Sequence, residues 1–345
     1  MRVGVVGAGW WAALAHIPGV LAHAHAELVG IADTDAQRLA MVADHLGVAG
    51  RFADHRELLA AGVDAVVVAT PHATHYPIAL DAIAAGAHVL VEKPLTLRAA
   101  DARDLAARSE AAGVHLLTGY TFHFTAAAKL ARDLIADGAL GEIHLVHCLF
   151  TSGVEDFMRG QRHRTEHLLG GPAAATYADP RLSGGGQGQS QVTHAFGLML
   201  WVTGLRGRRV SAYMSSCGAP VDLIDVIACE LDNGALATIT ANGALAPGQT
   251  EQEELQYFGP RGTLVHDLLS GRLVLHPANG QPTELVPAGD DAYPVQAPVR
   301  SLIDVVRGDA ESRTPASVSI ATVELLEAAY RSAAGRGQPV DIGHE

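Results

Sequence analysis

Short β-branched runs alternate with Ala/Leu-rich segments over the first third of the chain. Val3 to Val6, Leu28 to Ala32, Ala65 to Ala69 and His88 to Val91 have the length and composition of buried strands. Asp35 to Leu46 and Tyr76 to Ala85 read as helices between them, with Gly47 and Gly86 standing where helix-ending caps belong. That rhythm predicts βαβ units on a doubly wound parallel sheet, closing near Tyr120. Beyond it Ala126 to Ala136 reads as a helix. Ile143 to Phe150, Val210 to Ser215, Asp225 to Leu231 and Ala237 to Ala241 read as strands, paired antiparallel or mixed. Residues 151–186 are rich in Gly, Pro, Arg and His with weak periodicity, as in a loop over a cleft. A second loop-rich stretch, 277–298, precedes Val299 to Val306 and the helical Val318 to Ala334.

Composition narrows the function classes. The 345 residues are 48% hydrophobic, enough for two domains with sizeable cores, and the net charge of −13 disfavours nucleic acid and anionic membranes as partners. Cys148, Cys217 and Cys229 lack the spacing of a metal site or disulfide framework, so no metal is expected and the thiols suit a reducing cytoplasm. No apolar run has the length of a membrane span, and the start of the chain lacks a secretory signal pattern; a cytoplasmic protein is expected.

Directly after the first predicted strand comes Gly7-Ala8-Gly9-Trp10-Trp11-Ala12. Gly7 and Gly9 permit a tight turn and close approach of backbone to a pyrophosphate, and Ala12 serves as the small third residue. Gly7, Gly9, Trp10, Trp11 and Ala12 are therefore the candidate dinucleotide cradle. Asp33, at the end of the second strand, is placed to accept hydrogen bonds from the adenosine ribose. A second carboxylate at Asp35 repels a 2′-phosphate, which favours NAD. Arg38, one helical turn on, is the feature that leaves NADP possible.

Thr70, Pro71 and His72 follow the third of these strands, with His75 entering the next helix, and Glu92-Lys93-Pro94 follows the fourth. All belong at the carboxyl edge of a parallel sheet, where such folds bind ligands. The Gly turn, Ala69 to His75, Glu92-Lys93-Pro94, Gly119 to Phe124, Gly138 to Ile143 and Gly184-Gly185-Gly186 leading to His194 together resemble the glucose-fructose oxidoreductase, inositol dehydrogenase and rhizopine-catabolism protein (Gfo/Idh/MocA) family. Ala329 to Ala333 adds to that resemblance. It implies an α/β chain: an N-terminal Rossmann sheet over 1–120, then over 121–345 an α+β substrate domain on an open, mostly antiparallel sheet. The C-terminal helix, about 318–334, is expected to pack back near the first domain.

The resemblance also implies that Lys93 sits beside the nicotinamide and the reacting hydroxyl, with a cis peptide before Pro94. Glu92 could contact the nicotinamide ribose or neighbouring backbone, or pair with a cation. His194 becomes a substrate-binding or proton-handling group, and Ser190, where relatives carry aspartate, lies one turn before it if residues 190–201 form one helix. His72 stands where relatives often have asparagine, and His123 where they often have arginine. His123, Arg159, Arg162, Tyr177, Ser190 and Gln191 complete the candidate substrate contacts. The expected reaction is NAD(P)-dependent interconversion of a secondary alcohol and a ketone on a sugar, cyclitol or related polyol, by a homodimer or homotetramer. Retained-cofactor epimerisation, elimination or glycoside cleavage is the enzymatic alternative; a noncatalytic NAD or sugar sensor is the alternative of another class.

Overall fold

The computed structural model describes residues 1–162, 169, 171–246, 248–285 and 293–343. The chain forms two compact units. The first gathers Met1–Gly119, Gly160–Gly184 and Val295–Ile320; the second gathers Tyr120–Arg159, Gly185–Pro294 and Ala321–Glu345. The change of unit after Gly119 lies next to the boundary expected at residue 120. The expectation of an uninterrupted second domain over 121–345 is corrected, because two later segments join the first unit. Their attachment is specific: His72 Nδ1 donates to the Ser183 carbonyl at 2.7 Å, Thr118 and Ser319 share a hydroxyl hydrogen bond of 2.8 Å, and Leu117 bridges Pro315.

In the first unit β1 (Arg2–Val6), β2 (Glu27–Ala32), β3 (Arg51–Phe52), β4 (Ala65–Val68), β5 (His88–Val91) and β6 (Leu116–Thr118) form one parallel sheet, ordered β3-β2-β1-β4-β5-β6. The order reverses direction at β1/β4, the crevice where doubly wound sheets bind ligands. β4 is Ala-Val-Val-Val and wholly buried, as a central strand covered on both faces must be. The helix Ala36–Leu46 starts where the Asp35 carboxylate accepts from Gln37 N and Arg38 N, and stops at Gly47 in the left-handed region. The late helix Ala297–Arg307 buries Val299, Leu302 and Ile303 in the same core as Val3, Val5 and Leu90. Each such side chain contributes roughly 1.5–3 kcal/mol, which explains why this segment belongs to the first unit despite its place in the sequence.

Among the described residues, the second unit holds a nine-stranded sheet. Its strands are β7 (Leu145–Thr151), β8 (Gly207–Ser215), β9 (Ile224–Leu231), β10 (Leu236–Asn242), β11 (Gln252–Gly259), β12 (Gly262–Asp267), β13 (Arg272–Pro277), β14 (Thr283–Leu285) and β15 (Val340–Asp341), ordered β14-β13-β12-β11-β7-β10-β9-β8-β15. All pairs are antiparallel except β7 with β10. Burial alternates along it: Asp225, Ile227 and Cys229 of β9 are covered while Val226 is half exposed. The helix Ala316–Ala334 runs from residues of the first unit into those of the second. Among the described residues no helix is long and apolar enough to cross a membrane.

Candidate active site

The first unit brings its candidate residues to the carboxyl edge of the sheet. Gly7 ends β1 at φ +100°, and a Cβ there would lie 2.3 Å from the Ala69 carbonyl oxygen, so the turn requires glycine. A Cβ on Gly9 would meet nothing within 4 Å, leaving its backbone open to a ligand. The following turn, Ala12–His16, is π-helical and runs into Ile17–Leu21, with Ala12 fully buried. These features fit a dinucleotide pyrophosphate.

Asp33 holds this turn from the end of β2. Its Oδ2 accepts from Ala8 N at 2.7 Å and Arg38 Nε at 3.1 Å; its Oδ1 accepts from Asp35 N and Arg38 Nη2, both at 2.8 Å. Burial opposes the charge, but the Arg38 fork and the two amide donors outweigh it and hold the carboxyl below its ordinary value. The ribose contact expected of Asp33 therefore competes with Arg38 for the same oxygens.

Lys93 follows β5, and its peptide bond to Pro94 is cis. Burial lowers the ammonium pKa, while the neighbouring Glu92 carboxylate opposes that shift. Glu92 is itself buried. Its Oε1 accepts from His16 Nε2 at 2.8 Å and from the Trp11 indole at 3.0 Å, and its Oε2 accepts from Lys93 N at 3.1 Å. Burial works against Glu92's charge; His16, Lys93 and these hydrogen bonds prevail and keep it ionised. With both oxygens engaged by the chain, Glu92 acts as a holding group; of the contacts open to it, the one to neighbouring backbone is made, through Lys93 N. Sequence reasoning missed His16: a lone imidazole in the Ala-rich helix start reads as core, and the π turn that aims it has no sequence signature.

His75 ties the two loops together, one ring nitrogen facing the Pro94 carbonyl at 2.8 Å and the other the Thr70 carbonyl at 2.9 Å. A neutral ring donates to only one of them, and burial lowers its pKa. Thr70 Oγ1 accepts from Thr74 Oγ1 at 2.8 Å, and Thr74 also engages the Pro71 carbonyl. His72, buried and pushed well below the ordinary imidazole range, meets the Tyr177 ring edge-on at 6.1 Å. Burial raises the Tyr177 phenol to about 12, opposed by a hydrogen bond from Trp10. Tyr177 thus packs beside the cofactor turn. Arg162 is exposed, and the adjoining His163 and Arg164 lie outside the described residues.

In the second unit the residues expected to form one helix over 190–201 divide into a π-helical turn, Gly188–Val192, and an α-helix, Thr193–Thr203. The one-turn α-helical relation assumed for Ser190 and His194 is corrected accordingly. His194 is 5% exposed, with Phe122 edge-on at 5.6 Å and Tyr120 at 6.4 Å; Ser190 is buried and Gln191 half-buried. The Gly-rich approach is anchored by Asp222, which sequence reasoning also missed. Its carboxylate accepts from Gly186 N at 2.7 Å, Gly188 N at 2.8 Å and the Tyr330 hydroxyl at 2.9 Å. A Cβ on Gly185 or Gly188 would strike the Tyr330 hydroxyl, at 2.2 and 2.6 Å.

Two of the expected substrate contacts are engaged within the chain. His123 has no exposed surface, shares a 3.1 Å hydrogen bond with the Gly197 carbonyl and packs against Tyr120 and Trp201, so its ring is committed to the core. Arg159 donates from Nε to Glu155 and from Nη2 to the Cys217 carbonyl, each at 2.8 Å. Among the described residues no three His, Cys, Asp or Glu side chains assemble as metal ligands.

The chain matches two family profiles: "Oxidoreductase family, NAD-binding Rossmann fold" over residues 1–120, and "GFO/IDH/MocA C-terminal domain" over 128–265. The rhizopine catabolism protein MocA of Rhizobium meliloti is 27% identical over 339 residues, spanning 95% of this chain and 93% of that one. Inositol 2-dehydrogenase 1 of Saccharopolyspora erythraea is 35% identical over 213 residues, 53% of this chain and 62% of the relative. The crystal structure of GenD2 from gentamicin A biosynthesis, in complex with NAD, superposes with a TM-score of 0.82 at 30% identity, covering 99% of this chain and 96% of that one. With profiles matching both its N- and C-terminal parts, the chain belongs to the Gfo/Idh/MocA family of oxidoreductases with an NAD-binding Rossmann fold.

Proposed function

We propose that this protein is a dehydrogenase or reductase that interconverts a secondary alcohol and a ketone on a sugar, cyclitol or related polyol, with Lys93 moving the hydroxyl proton and His194 assisting at the substrate. The observation that carries the reading is Lys93 itself: an amine whose burial lowers its pKa, beside an ionised Glu92, on the same sheet edge as the Gly7/Gly9 turn. An amine of lowered pKa is more readily the free base that accepts a proton, and as an ammonium it returns the proton to a ketone oxygen. NAD supplies the hydride chemistry when bound. Gly7, Gly9 and Ala12 would cradle its pyrophosphate, Asp33 and Arg38 would meet its ribose, and Thr70, Pro71 and His72 would border the nicotinamide end. NAD is the preferred cofactor, and Arg38 keeps NADP admissible.

The substrate class is supported by names: a rhizopine-catabolism protein and an inositol dehydrogenase among the relatives. Tyr213, Val226 and Leu236, exposed on β8, β9 and the start of β10, support a homodimer or homotetramer. The three free thiols suit the cytoplasm. A screen of sugars and cyclitols with NAD and NADP, following nicotinamide reduction and product identity together, tests the assignment. Net, stoichiometric redox on a polyol is expected; product formed without net cofactor conversion, or NAD binding with no turnover of any polyol, would contradict it.

A further inference from the structure

His16 takes no part in the function proposed above, yet it is fully buried and its Nε2 lies 2.8 Å from Glu92 Oε1. Its other nitrogen, Nδ1, has no hydrogen-bond partner among the described residues. Glu92 can only accept, so Nε2 carries the proton in this contact. The same Glu92 oxygen takes the Trp11 indole N–H, and the other takes the backbone N–H of Lys93. The end of β6 is shaped around this carboxylate: a Cβ on Gly119 would fall 2.4 Å from Oε1.

We propose that His16 is a positioning residue of the lysine site, which together with Trp11 holds Glu92 ionised and aimed so that Glu92 sets the charge of Lys93. The proposal rests on Lys93 as the proton-handling group. A carboxylate removed from water either collects donors or takes a proton. Among the described residues Glu92 has three donors, and His16 is the one that lies beyond both the Gly7–Ala12 segment and the lysine loop. Among the described residues, the other titratable groups whose electrostatics couple to the pair are His72, His75 and Tyr177. Burial lowers the pKa of both imidazoles and raises that of the phenol, so all three are neutral in the range where an amine of lowered pKa titrates. Among the described residues, Glu92 is thus the anion that favours the Lys93 ammonium. Trp11 lies two residues past Gly9, so this carboxylate also joins the dinucleotide turn to the lysine loop.

The sequence makes the test direct, because Lys93 and Lys129 are its only lysines. Protein labelled with carbon-13 at the lysine ε position gives two side-chain signals. Lys129, exposed and paired with Asp133, serves as reference and is assigned by Lys129→Arg. The wild-type Lys93 signal is expected to titrate below the ordinary lysine value. In His16→Phe, which keeps a ring but loses the donor, Glu92 takes a proton and ceases to favour the ammonium. The Lys93 titration then moves about one unit lower. His16→Gln, with an amide donor of similar reach, is expected to restore most of the shift. His16→Asn, too short to reach Glu92, keeps a polar group in the slot and carries the same expectation as His16→Phe should that variant not fold. A Lys93 signal that titrates low in the wild type and does not move in the donor-less variants overturns this proposal alone. One that titrates at the ordinary lysine value in the wild type overturns the reading beneath it.

Discussion

Arg38→Ala separates two uses of the carboxylate that closes β2. A carboxylate offers about four lone-pair positions, and Asp33 spends all of them inside the chain, two on the Arg38 fork. Removing Arg38 frees two acceptors for the ribose hydroxyls of NAD and leaves a bare negative charge where NADP carries its 2′-phosphate. Like charges about 4 Å apart repel by about 1 kcal/mol in water and about 4 kcal/mol at an effective dielectric near 20. The Asp33 side chain is 7% exposed and that of Arg38 38%, so the site lies between these limits. A penalty of about 2 kcal/mol against NADP, roughly thirtyfold in Kd, is the expected change. NAD affinity should hold or rise. Calorimetric titration of both dinucleotides into wild type and variant measures the ratio directly, and urea unfolding should show a loss of about 1–3 kcal/mol, because the arginine is part-exposed while the carboxylate it leaves is buried. Equal weakening of both dinucleotides, or a gain of NADP over NAD, would refute the reasoning.

Other expectations are as specific. Burial pushes the Glu253 carboxyl from 4.5 up to about 8. Because its folded value exceeds its unfolded one, the folded chain binds more protons between those values, and stability falls as pH rises through that window. Glu253→Gln should remove this slope in thermal melts taken from about pH 5 to about pH 8, whereas parallel wild-type and variant curves would count against a buried neutral acid. Asp222→Ala deletes the acceptor of three hydrogen bonds and should cost about 2–4 kcal/mol in urea unfolding, with Asp222→Asn intermediate; a loss indistinguishable from zero would mean the Gly186–Gly188 turn does not depend on it. Gly7→Ala places a Cβ against the Ala69 carbonyl at a positive φ and should abolish measurable NAD binding, by displacing the turn or by unfolding it. NAD binding at wild-type affinity would remove that turn from the cofactor site.

Much of this was legible because burial imposes a period. His88 to Val91 and Ala126 to Ala136 were delimited to the residue, since a covered strand and an amphipathic helix each advertise their inner face. The Gly turn and Glu92-Lys93-Pro94 were legible for another reason: close approach and acid-base chemistry demand particular residue types. What escaped is set by contacts distant in sequence. His16 lies 76 positions from Glu92, and Asp222 lies 36 and 34 positions from the glycine amides it holds. The π turns at Ala12–His16 and Gly188–Val192 rotate the side chains beyond them relative to an α-helix, which is why the spacing of Ser190 and His194 misled. His123 was read by position in a motif, and packing against Tyr120 and Trp201 decided its use instead.

The central claim is that the Lys93 amine moves the proton while the rest of the site holds the cofactor. Single-turnover hydride transfer by Lys93→Met, with NAD and the best polyol from the screen, tests it most directly when NAD affinity is measured on the same protein. The expected result is NAD bound as tightly as by wild type and transfer slowed by about 100-fold or more, the scale of a lost general acid-base group. Hydride transfer by Lys93→Met at the wild-type rate would contradict the account.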